Sequence, residues 1–260
     1  MPASADPSPH TYDRLRVWAH SDRATLGYSA AVAAAAHLRE TLAERGEARV
    51  IFACAPSQDE FLAALTGSAG VALDWSRVTV FHMDDYVGLT GDHPQSFRRY
   101  LQRHLLDHVK VRAFHPLGGE VADLAGECRR YADLLETAPI DLACLGIGEN
   151  GHIAFNDPPL ADFDDPALVK LVTLPESCRA QQVNDGCFPS LATVPRQALT
   201  LTIPVFRHAR RLSIHVPGPR KAAAVRAALL DPVTPACPAS ILRLHPAATL
   251  HLDPASAAQL

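Results

Sequence analysis

The sequence has 260 residues, 48% of them hydrophobic and 20% charged, and its formal net charge is −4 at pH 7. This composition is typical of a folded, soluble protein, and the acidic balance, with no run of Lys or Arg, argues against a nucleic-acid partner. No apolar stretch approaches the length of a membrane span, so no membrane association is predicted.

The N-terminus and the cysteines indicate the compartment. The opening residues, MPASADPSPH, lack the positive charge and the apolar run of a secretory signal, and residues 1–11 are expected to form a disordered tail. The six cysteines are scattered without a C-x-x-C pair, and Cys54 and Cys144 lie in apolar runs. This usage is typical of a reducing cytoplasm rather than of a disulfide scaffold or a zinc site. We predict a cytoplasmic protein with a single domain over residues 12–260.

Helix-like and strand-like patterns alternate along the rest of the chain. The longest predicted helix covers residues 24–45, with Ser21 or Asp22 as its cap and Gly46 as its stop. Further helices are predicted at residues 60–65, 97–104, 123–136 and 222–230, and strands at 49–54, 78–81, 140–145, 169–174, 198–203, 211–216 and 248–252. Residues 160–165 are predicted to form a polar loop that acts as a mobile lid. The alternation predicts an α/β fold with a mostly parallel sheet and helices on both faces.

The strand predicted at residues 140–145 runs into a glycine turn with a dense set of polar residues. The sequence there is IDLACLGIGENGHIAFNDP, residues 140–158. Glycines let a backbone turn sharply and approach a ligand, and ligands of open α/β sheets bind beyond the carboxyl ends of the strands. The turn is therefore a candidate active site that presents an imidazole, two amides and a carboxylate, from His152, Asn150, Asn156 and Asp157. The alternative is a polar turn that caps itself through its Asn and Asp side chains.

Two adjacent carboxylates, Asp84 and Asp85, follow the buried strand predicted at residues 78–81. Neighbouring side chains of a strand point to opposite faces, so one carboxylate can face a crevice while the other turns away. A partly desolvated carboxyl group has a raised pKa and can serve as a base. The alternative is a solvated turn in which both residues act as caps.

Two strand-to-helix turns are candidate sites for an anion, because the free N–H groups of a helix start point at such a ligand. Residues 55–59 read APSQD before the helix at 60–65, and Lys221 lies in the turn GPRKA before the helix at 222–230. Capping by Ser57 or Asp59, and a solvated lysine, are the plainer interpretations.

Other chemistries lack their sequence context. No recognised spacing links the potential metal ligands His82, Asp84, Asp85 and His152, so no metal site is predicted. Residues 146–151 match G-x-G-x-x-G, but no helix follows, and no acidic residue ends a second strand about 20 residues later. No dinucleotide cofactor is therefore predicted, and acid–base chemistry on a small anionic substrate remains.

Two long motifs stand out, FHMDDYVGL at residues 81–89 and LGIGENGHIAFNDP at residues 145–158. They resemble F-N-M-D-E-Y-x-G-L and G-I-G-x-[DN]-G-H-I-A-F-N-E-P of the glucosamine-6-phosphate deaminase (isomerase) family, a relative of 6-phosphogluconolactonase. Weaker similarities follow the family's order over nearly the whole chain, in HPQSF, VPRQALTLTI, GPRKA and LHP. The ending AFNDP favours the deaminase branch over the lactonase branch.

The resemblance implies a Rossmann-like α/β domain and a hydrolase/isomerase reaction without cofactor or metal, from the sugar phosphate glucosamine 6-phosphate to fructose 6-phosphate and ammonia. By position, Asp84 would move a proton from C2 to C1, and His152 would assist ring opening at O5. Asn150 and Asp157 would orient His152, and Lys221 would bind the phosphate. Substrate contacts are further expected from Ala55, Ser57, Asp85 and Gly148. Family members form monomers or hexamers, so a homo-oligomer is an open alternative.

The anion-binding half departs from the family pattern. The loop at residues 54–58 reads CAPSQ instead of a Thr-, Gly- and Ser-rich sequence, and His82 stands where Asn is usual. The segment QQVNDGCF lacks the phosphate arginine of the family, for which Arg179 and Arg196 are the candidates. Two alternatives therefore stay open: an isomerase or lactonase acting on another sugar phosphate, and a non-enzymatic sugar-phosphate sensor. The sensor is disfavoured, since the short N-terminal segment is expected to leave no room for a DNA-binding helix-turn-helix.

Overall fold

Eleven strands and seven α-helices form the part of the chain that the computed structural model describes, residues 9–158 and 160–260. The strands are β1 (His10–Tyr12), β2 (Leu15–Ala19), β3 (Ala48–Phe52), β4 (Val78–His82), β5 (Asp84–Tyr86), β6 (Ala113–His115), β7 (Leu142–Leu145), β8 (Val169–Thr173), β9 (Gln197–Leu201), β10 (Leu212–Val216) and β11 (Ala248–Leu252). The helices are α1 (Arg23–Arg45), α2 (Asp59–Thr66), α3 (Phe97–Leu101), α4 (Leu124–Glu136), α5 (Glu176–Asn184), α6 (Ile203–Arg207) and α7 (Ala222–Leu230).

Helix α1 begins and ends where its sequence predicts. Asp22 caps it by accepting a hydrogen bond from the Thr25 amide at 2.7 Å. Gly46 ends it with φ at +83°, a left-handed conformation that a side chain would strain. Apolar residues at helical spacing, including Leu38 and Leu42, are buried on one side of the helix.

Eight strands form one sheet in the order β1-β2-β11-β10-β7-β3-β4-β6. Every neighbouring pair is parallel except β1 and β2. The central strands β3, β7 and β10 are buried along their whole length, as their apolar runs predict for strands covered on both faces. In β3, Val50 and Phe52 share a buried cluster with residues of α1 and α2, whereas Ile51 belongs to a second cluster with α4 and α7. The predicted α/β fold with a mostly parallel sheet is confirmed.

Strands β5, β9 and β8 form a separate antiparallel sheet in that order. The sequence predicts the strands at residues 169–174 and 198–203 but not their partners, because strand propensity reports fit to a pleated surface rather than to a particular neighbour. A single residue, Met83, links β4 to β5. This short link takes Asp84 out of the main sheet and pairs it with Thr200 of β9.

The first helix after β3 begins differently from the prediction. Its first turn is a 3-10 turn, Pro56–Gln58, and no side chain caps either this turn or α2. Neither Ser57 nor Asp59 therefore has the capping role. Helices α5 and α6 are further additions to the predicted elements, since their segments carry a weak apolar period or are too short to show one.

The predicted N-terminal tail and the predicted lid contain little regular structure among the described residues. Residues 1–8 of the predicted tail lie outside the described residues, and β1 begins at His10. Residues 160–165 contain no helix or strand, and their mobility stays a prediction. Across the described ranges, none of the helices combines the length and the apolar character needed to cross a membrane.

Candidate active site

The carboxyl ends of β3, β4, β7 and β10 open into a cleft of about 620 Å³. The loops that follow these strands form much of its wall, as expected for an open α/β sheet. Six of the predicted site residues line the cleft: Ala55, Ser57, Asp84, Gly148, His152 and Lys221. The other three lie behind this wall, next to residues that line it: Asp85, Asn150 and Asp157. Four turns that are distant in sequence therefore meet at one site.

Two glycines shape the loop that carries His152. The Gly148 amide donates to the His152 carbonyl at 2.9 Å, and the Gly151 amide donates to the Gly148 carbonyl at 3.0 Å. Gly151 has φ at +83°, which favours glycine. A Cβ atom at Gly148 would lie 2.2 to 2.4 Å from the His152 ring, so the missing side chain makes room for the imidazole. The substrate contact expected of Gly148 stays a prediction.

The His152 ring is held from behind by an amide and a carboxylate. Its Nδ1 atom lies 2.8 Å from Asn150 Oδ1 and 3.1 Å from Asp157 Oδ1, and Asn150 Nδ2 donates to the same Asp157 oxygen at 2.8 Å. Because both neighbours of Nδ1 are acceptors, Nδ1 carries a proton, and Nε2 is the nitrogen available to a ligand. Burial opposes the charge of Asp157, but the hydrogen bonds from His152 and Asn150 outweigh it and lower the pKa of this carboxyl below its ordinary value.

Asp84 and Asp85 occupy opposite sides of β5, as predicted for consecutive strand residues. Asp84 lines the cleft but is only 6% exposed. Burial, and then the charge of Asp85, raise the pKa of Asp84 well above its ordinary value of 3.8. A carboxyl group in that state is suited to accept a proton near neutral pH.

Asp85 is fully buried and does not line the cleft, unlike the substrate contact expected of it. Arg98 Nε donates to it at 2.7 Å and Ser96 Oγ at 3.1 Å. The amides of Tyr86 and Phe97 donate to it at 2.9 and 3.2 Å. These bonds satisfy a buried charge and fasten β5, so Asp85 fixes the position of Asp84.

His82 also holds β5 in place, through the backbone of Asp84. Its Nε2 accepts a hydrogen bond from the Leu117 amide at 2.8 Å, so its Nδ1 carries the proton and donates to the Asp84 carbonyl at 2.8 Å. Both ring nitrogens therefore hold backbone groups, and His82 takes no part in proton transfer or metal binding in this geometry.

Replacing His82 with asparagine is expected to weaken the pH dependence of folding stability. Burial lowers the pKa of His82 from 6.5 to about 4. The unfolded chain therefore binds the extra proton between these values, and the stability that neutral His82 contributes is full above pH 6.5 and is lost as the pH falls toward 4. The loss is about 3 kcal/mol in the unmodified protein, and asparagine does not titrate.

Urea titrations at half-unit steps between pH 6.5 and 4 measure this difference. The free energy of unfolding should fall less steeply in His82→Asn, by up to about 1.4 kcal/mol per pH unit. His108→Asn, at an exposed position, is the matched control and should keep the slope of the unmodified protein. Equal slopes for His82→Asn and the unmodified protein would contradict the assignment.

The far end of the cleft is formed by the two turns predicted to bind an anion. Ser57 and Lys221 both line it, at the starts of the segments that lead into α2 and α7. Burial lowers the pKa of Lys221, and no carboxylate of the described residues lies within 4.0 Å of its ammonium group. An ammonium group that is desolvated without a counter-ion is suited to bind an anionic ligand.

The arginines at this end differ from the two candidates chosen from the sequence. Arg179 donates to the carbonyl oxygens of Leu191 and Val194, and Arg196 is exposed; neither lines the cleft. Arg23 and Arg220 line it instead. Both are already paired: Arg23 with Glu60 at 2.6 Å, and Arg220 with Asp185 and Glu149 at 2.6 and 3.2 Å.

Several cleft residues have no signal in the sequence motifs. Helix α5 and the turn after it supply four of them: Gln181, Gln182, Asp185 and Cys187. Gln181 Oε1 accepts a hydrogen bond from the Glu149 amide at 2.8 Å and so joins α5 to the loop that carries His152. The segment QQVNDGCF contains all four residues, but its polar residues follow no apolar period, so the sequence does not predict a helix there.

One cluster in the described part of the chain could place three ligand atoms around a metal ion. His152, Asp157 and Cys178 bring these atoms within 4.8 Å of one another. The hydrogen bond between His152 and Asp157 uses the atoms that a metal would need, so the geometry is that of an oriented imidazole.

The cleft at the edge of the parallel sheet thus combines a buried carboxyl group of raised pKa, an oriented imidazole and a lysine with no carboxylate partner among the described residues. These groups are suited to acid–base chemistry on a small anionic substrate. The chain belongs to the family of glucosamine-6-phosphate isomerases and 6-phosphogluconolactonases, whose sequence model matches residues 21–251.

Individual relatives agree with this membership. The chain is 40% identical over 188 residues to a glucosamine-6-phosphate deaminase of Exiguobacterium sp., with 72% of each chain covered. A solved monomeric glucosamine-6-phosphate deaminase superposes with a TM-score of 0.85 at 30% identity, over 94% of this chain and 99% of the other. The 6-phosphogluconolactonase of Trypanosoma brucei superposes with a TM-score of 0.76 at 18% identity, over 97% and 100%, which shows a shared fold.

Proposed function

We propose that the protein converts glucosamine 6-phosphate and water to fructose 6-phosphate and ammonia. The observation that carries this proposal is Asp84, a buried carboxyl group of raised pKa that lines the same cleft as His152. The similarity to proteins named glucosamine-6-phosphate deaminase supports the choice of substrate.

Ring opening falls to His152. Its Nε2 is the ring nitrogen free to exchange a proton with the sugar's O5 and O1 atoms, because Nδ1 is engaged by Asn150 and Asp157. The carboxylate of Asp157 stabilises the imidazolium that forms during the transfer. The product of this step is the open-chain amino aldose.

Proton transfer between carbons falls to Asp84. Its carboxylate takes the proton from C2, and the C–H electron pair forms a double bond between C1 and C2. The π pair of the C1 carbonyl moves to O1, which takes up a proton, and an enolamine results. The same carboxyl returns a proton to C1, which leaves an imine at C2. Water adds to that imine, ammonia leaves, and C2 becomes the ketone of fructose 6-phosphate. The raised pKa keeps Asp84 basic enough for the first transfer and acidic enough for the second.

The phosphate is assigned to the far end of the cleft, where the Lys221 ammonium group and the Ser57 hydroxyl are both exposed to a ligand. Ala55 and Gly148 line the same cleft, where their small size leaves room for the sugar. A cytoplasmic location and the oligomeric state stay predictions; the six free cysteines favour the former.

Ammonia release from glucosamine 6-phosphate, measured beside hydrolysis of 6-phosphogluconolactone, tests the proposal. We expect one ammonia per fructose 6-phosphate formed, and a lactonase rate at least about 100-fold lower in kcat/KM, since the acid–base pair is matched to C2 chemistry. Lactone hydrolysis without ammonia would assign the lactonase activity instead. Tight sugar-phosphate binding without either turnover would favour a sensor.

A further inference from the structure

Gln58 is a buried amide at the anion end of the cleft that the proposed mechanism does not use. Its side chain is 1% exposed, although it belongs to the turn before α2. A Cβ atom at Gly146 would lie 3.3 Å from Ser57 Oγ and 3.4 Å from Gln58 Nε2. Gly146, the first glycine of the turn after β7, therefore leaves the space that these two side chains occupy. A buried amide needs hydrogen-bond partners for both its oxygen and its NH₂ group, so the atoms around it determine its orientation.

The contacts determine which end of the Gln58 amide faces Ser57. Three oxygen atoms surround its Nε2: Ser57 Oγ at 3.0 Å, the His215 carbonyl at 3.4 Å and the Leu145 carbonyl at 3.5 Å. Carbonyl oxygens only accept hydrogen bonds, so the NH₂ group belongs on this side. The Oε1 atom then faces His215 Nδ1 at 2.7 Å.

The same reasoning places the proton on His215. Because Gln58 Oε1 only accepts, His215 Nδ1 carries the proton, and His215 Nε2 accepts from the Ser213 hydroxyl at 2.8 Å. The ring is fully buried against Phe61, with ring centroids 3.9 Å apart. Burial holds the pKa of His215 well below 6.5, so the ring stays neutral. The position of each polar hydrogen in the series of hydrogen bonds from Ser213 to Ser57 is therefore defined.

We propose that Gln58 is a positioning residue for phosphate binding: it donates to Ser57 Oγ and so leaves the Ser57 hydrogen directed at the anion. A serine hydroxyl has one hydrogen, and once its oxygen accepts from Gln58 that hydrogen remains for the ligand. Residues 54–58 contain no glycine and Pro56 has no N–H, so a directed Ser57 hydroxyl matters more for anion binding at this turn. The inference rests on the proposed function, because it assigns how that cleft holds the substrate's phosphate.

A double-mutant cycle with inorganic phosphate as the probe tests the relay. Isothermal titration calorimetry gives its Kd for the unmodified protein, Gln58→Met, Ser57→Ala and the double variant. Gln58→Met should weaken phosphate binding about tenfold when Ser57 is present, and less than about twofold when residue 57 is alanine. Equal factors in the two backgrounds would overturn the relay. With glucosamine 6-phosphate, Gln58→Met should raise KM by a similar factor and change kcat less than about twofold.

Gln58→Glu keeps the cycle measurable if Gln58→Met does not fold. An ionised glutamate accepts from both His215 and Ser57, which turns the serine hydrogen away from the ligand. Its direct repulsion of phosphate is common to both backgrounds and cancels in the cycle, so a coupling factor above about threefold supports the relay and a factor near one overturns it. Failure of the unmodified protein to bind phosphate would overturn the relay and the anion site together. Phosphate binding without ammonia release would overturn only the proposed reaction.

Discussion

Asp84→Asn is expected to lower kcat for glucosamine 6-phosphate by about 1,000-fold while KM changes less than about threefold. Asparagine has nearly the same shape as aspartate but cannot take the C2 proton, so the loss falls on the chemical step rather than on binding. Steady-state kinetics based on ammonia release measure both constants. A variant that keeps more than about a tenth of the unmodified rate would remove Asp84 as the base.

The matched control is Asp133→Asn, an exposed position on α4 away from the cleft, which should leave both constants unchanged.

The pH dependence of activity gives a second test of the role of Asp84. A base must be deprotonated to act, so activity should be lost as the pH falls through the pKa of Asp84, and that limb should lie well above pH 3.8. An acid limb near the ordinary aspartate value would argue that Asp84 is solvated.

Lys221→Met is expected to raise KM for glucosamine 6-phosphate about 30-fold with kcat changed only slightly. The ammonium group is desolvated and has no carboxylate partner among the described residues, so a bound phosphate would be its counter-ion. Because the burial of this ammonium group outweighs its attraction to Asp185 and Glu149, the same variant should melt at a higher temperature than the unmodified protein.

Kinetics and thermal unfolding of Lys221→Met, run together, separate binding from folding. Lys110→Met is the control, since Lys110 is exposed and lies outside the cleft. It should leave KM and melting temperature as they are. An unchanged KM in Lys221→Met would argue that the anion site lies elsewhere.

The acid–base half of the site was predictable because its residues follow buried strands directly. The apolar runs before Asp84 and before the glycine turn indicate parallel strands, and parallel strands bring their carboxyl ends to one edge. Alternation along a strand also predicted that Asp84 and Asp85 would face opposite sides. Local pattern was sufficient there, since each inference needed only a few consecutive residues.

The sequence predicts Asn150 and Asp157 as local supports of His152, but it does not predict the supports that join different elements of the fold. Arg98 reaches Asp85 from α3, and Gln58 reaches His215 across 157 positions. No local period marks such contacts. Asp85 illustrates this limit. Its position in the motif indicates a role in the site, but only the tertiary structure shows that its side chain is buried behind the cleft and cannot contact the substrate.

The arginines that line the cleft illustrate the same limit. Arg179 and Arg196 are the candidates from the sequence for the missing phosphate arginine, but Arg179 donates to the Leu191 and Val194 carbonyls instead. Arg23 reaches the cleft from the first turn of α1, a helix whose pattern indicates only packing.

Turnover of glucosamine 6-phosphate deuterated at C2, followed by nuclear magnetic resonance and an ammonia assay together, tests the central claim most directly. We expect equal amounts of ammonia and fructose 6-phosphate, with the deuterium removed from C2 and found at C1 or exchanged into solvent. Ammonia accompanied by a product that keeps deuterium at C2, or no ammonia at a saturating substrate concentration, would contradict it.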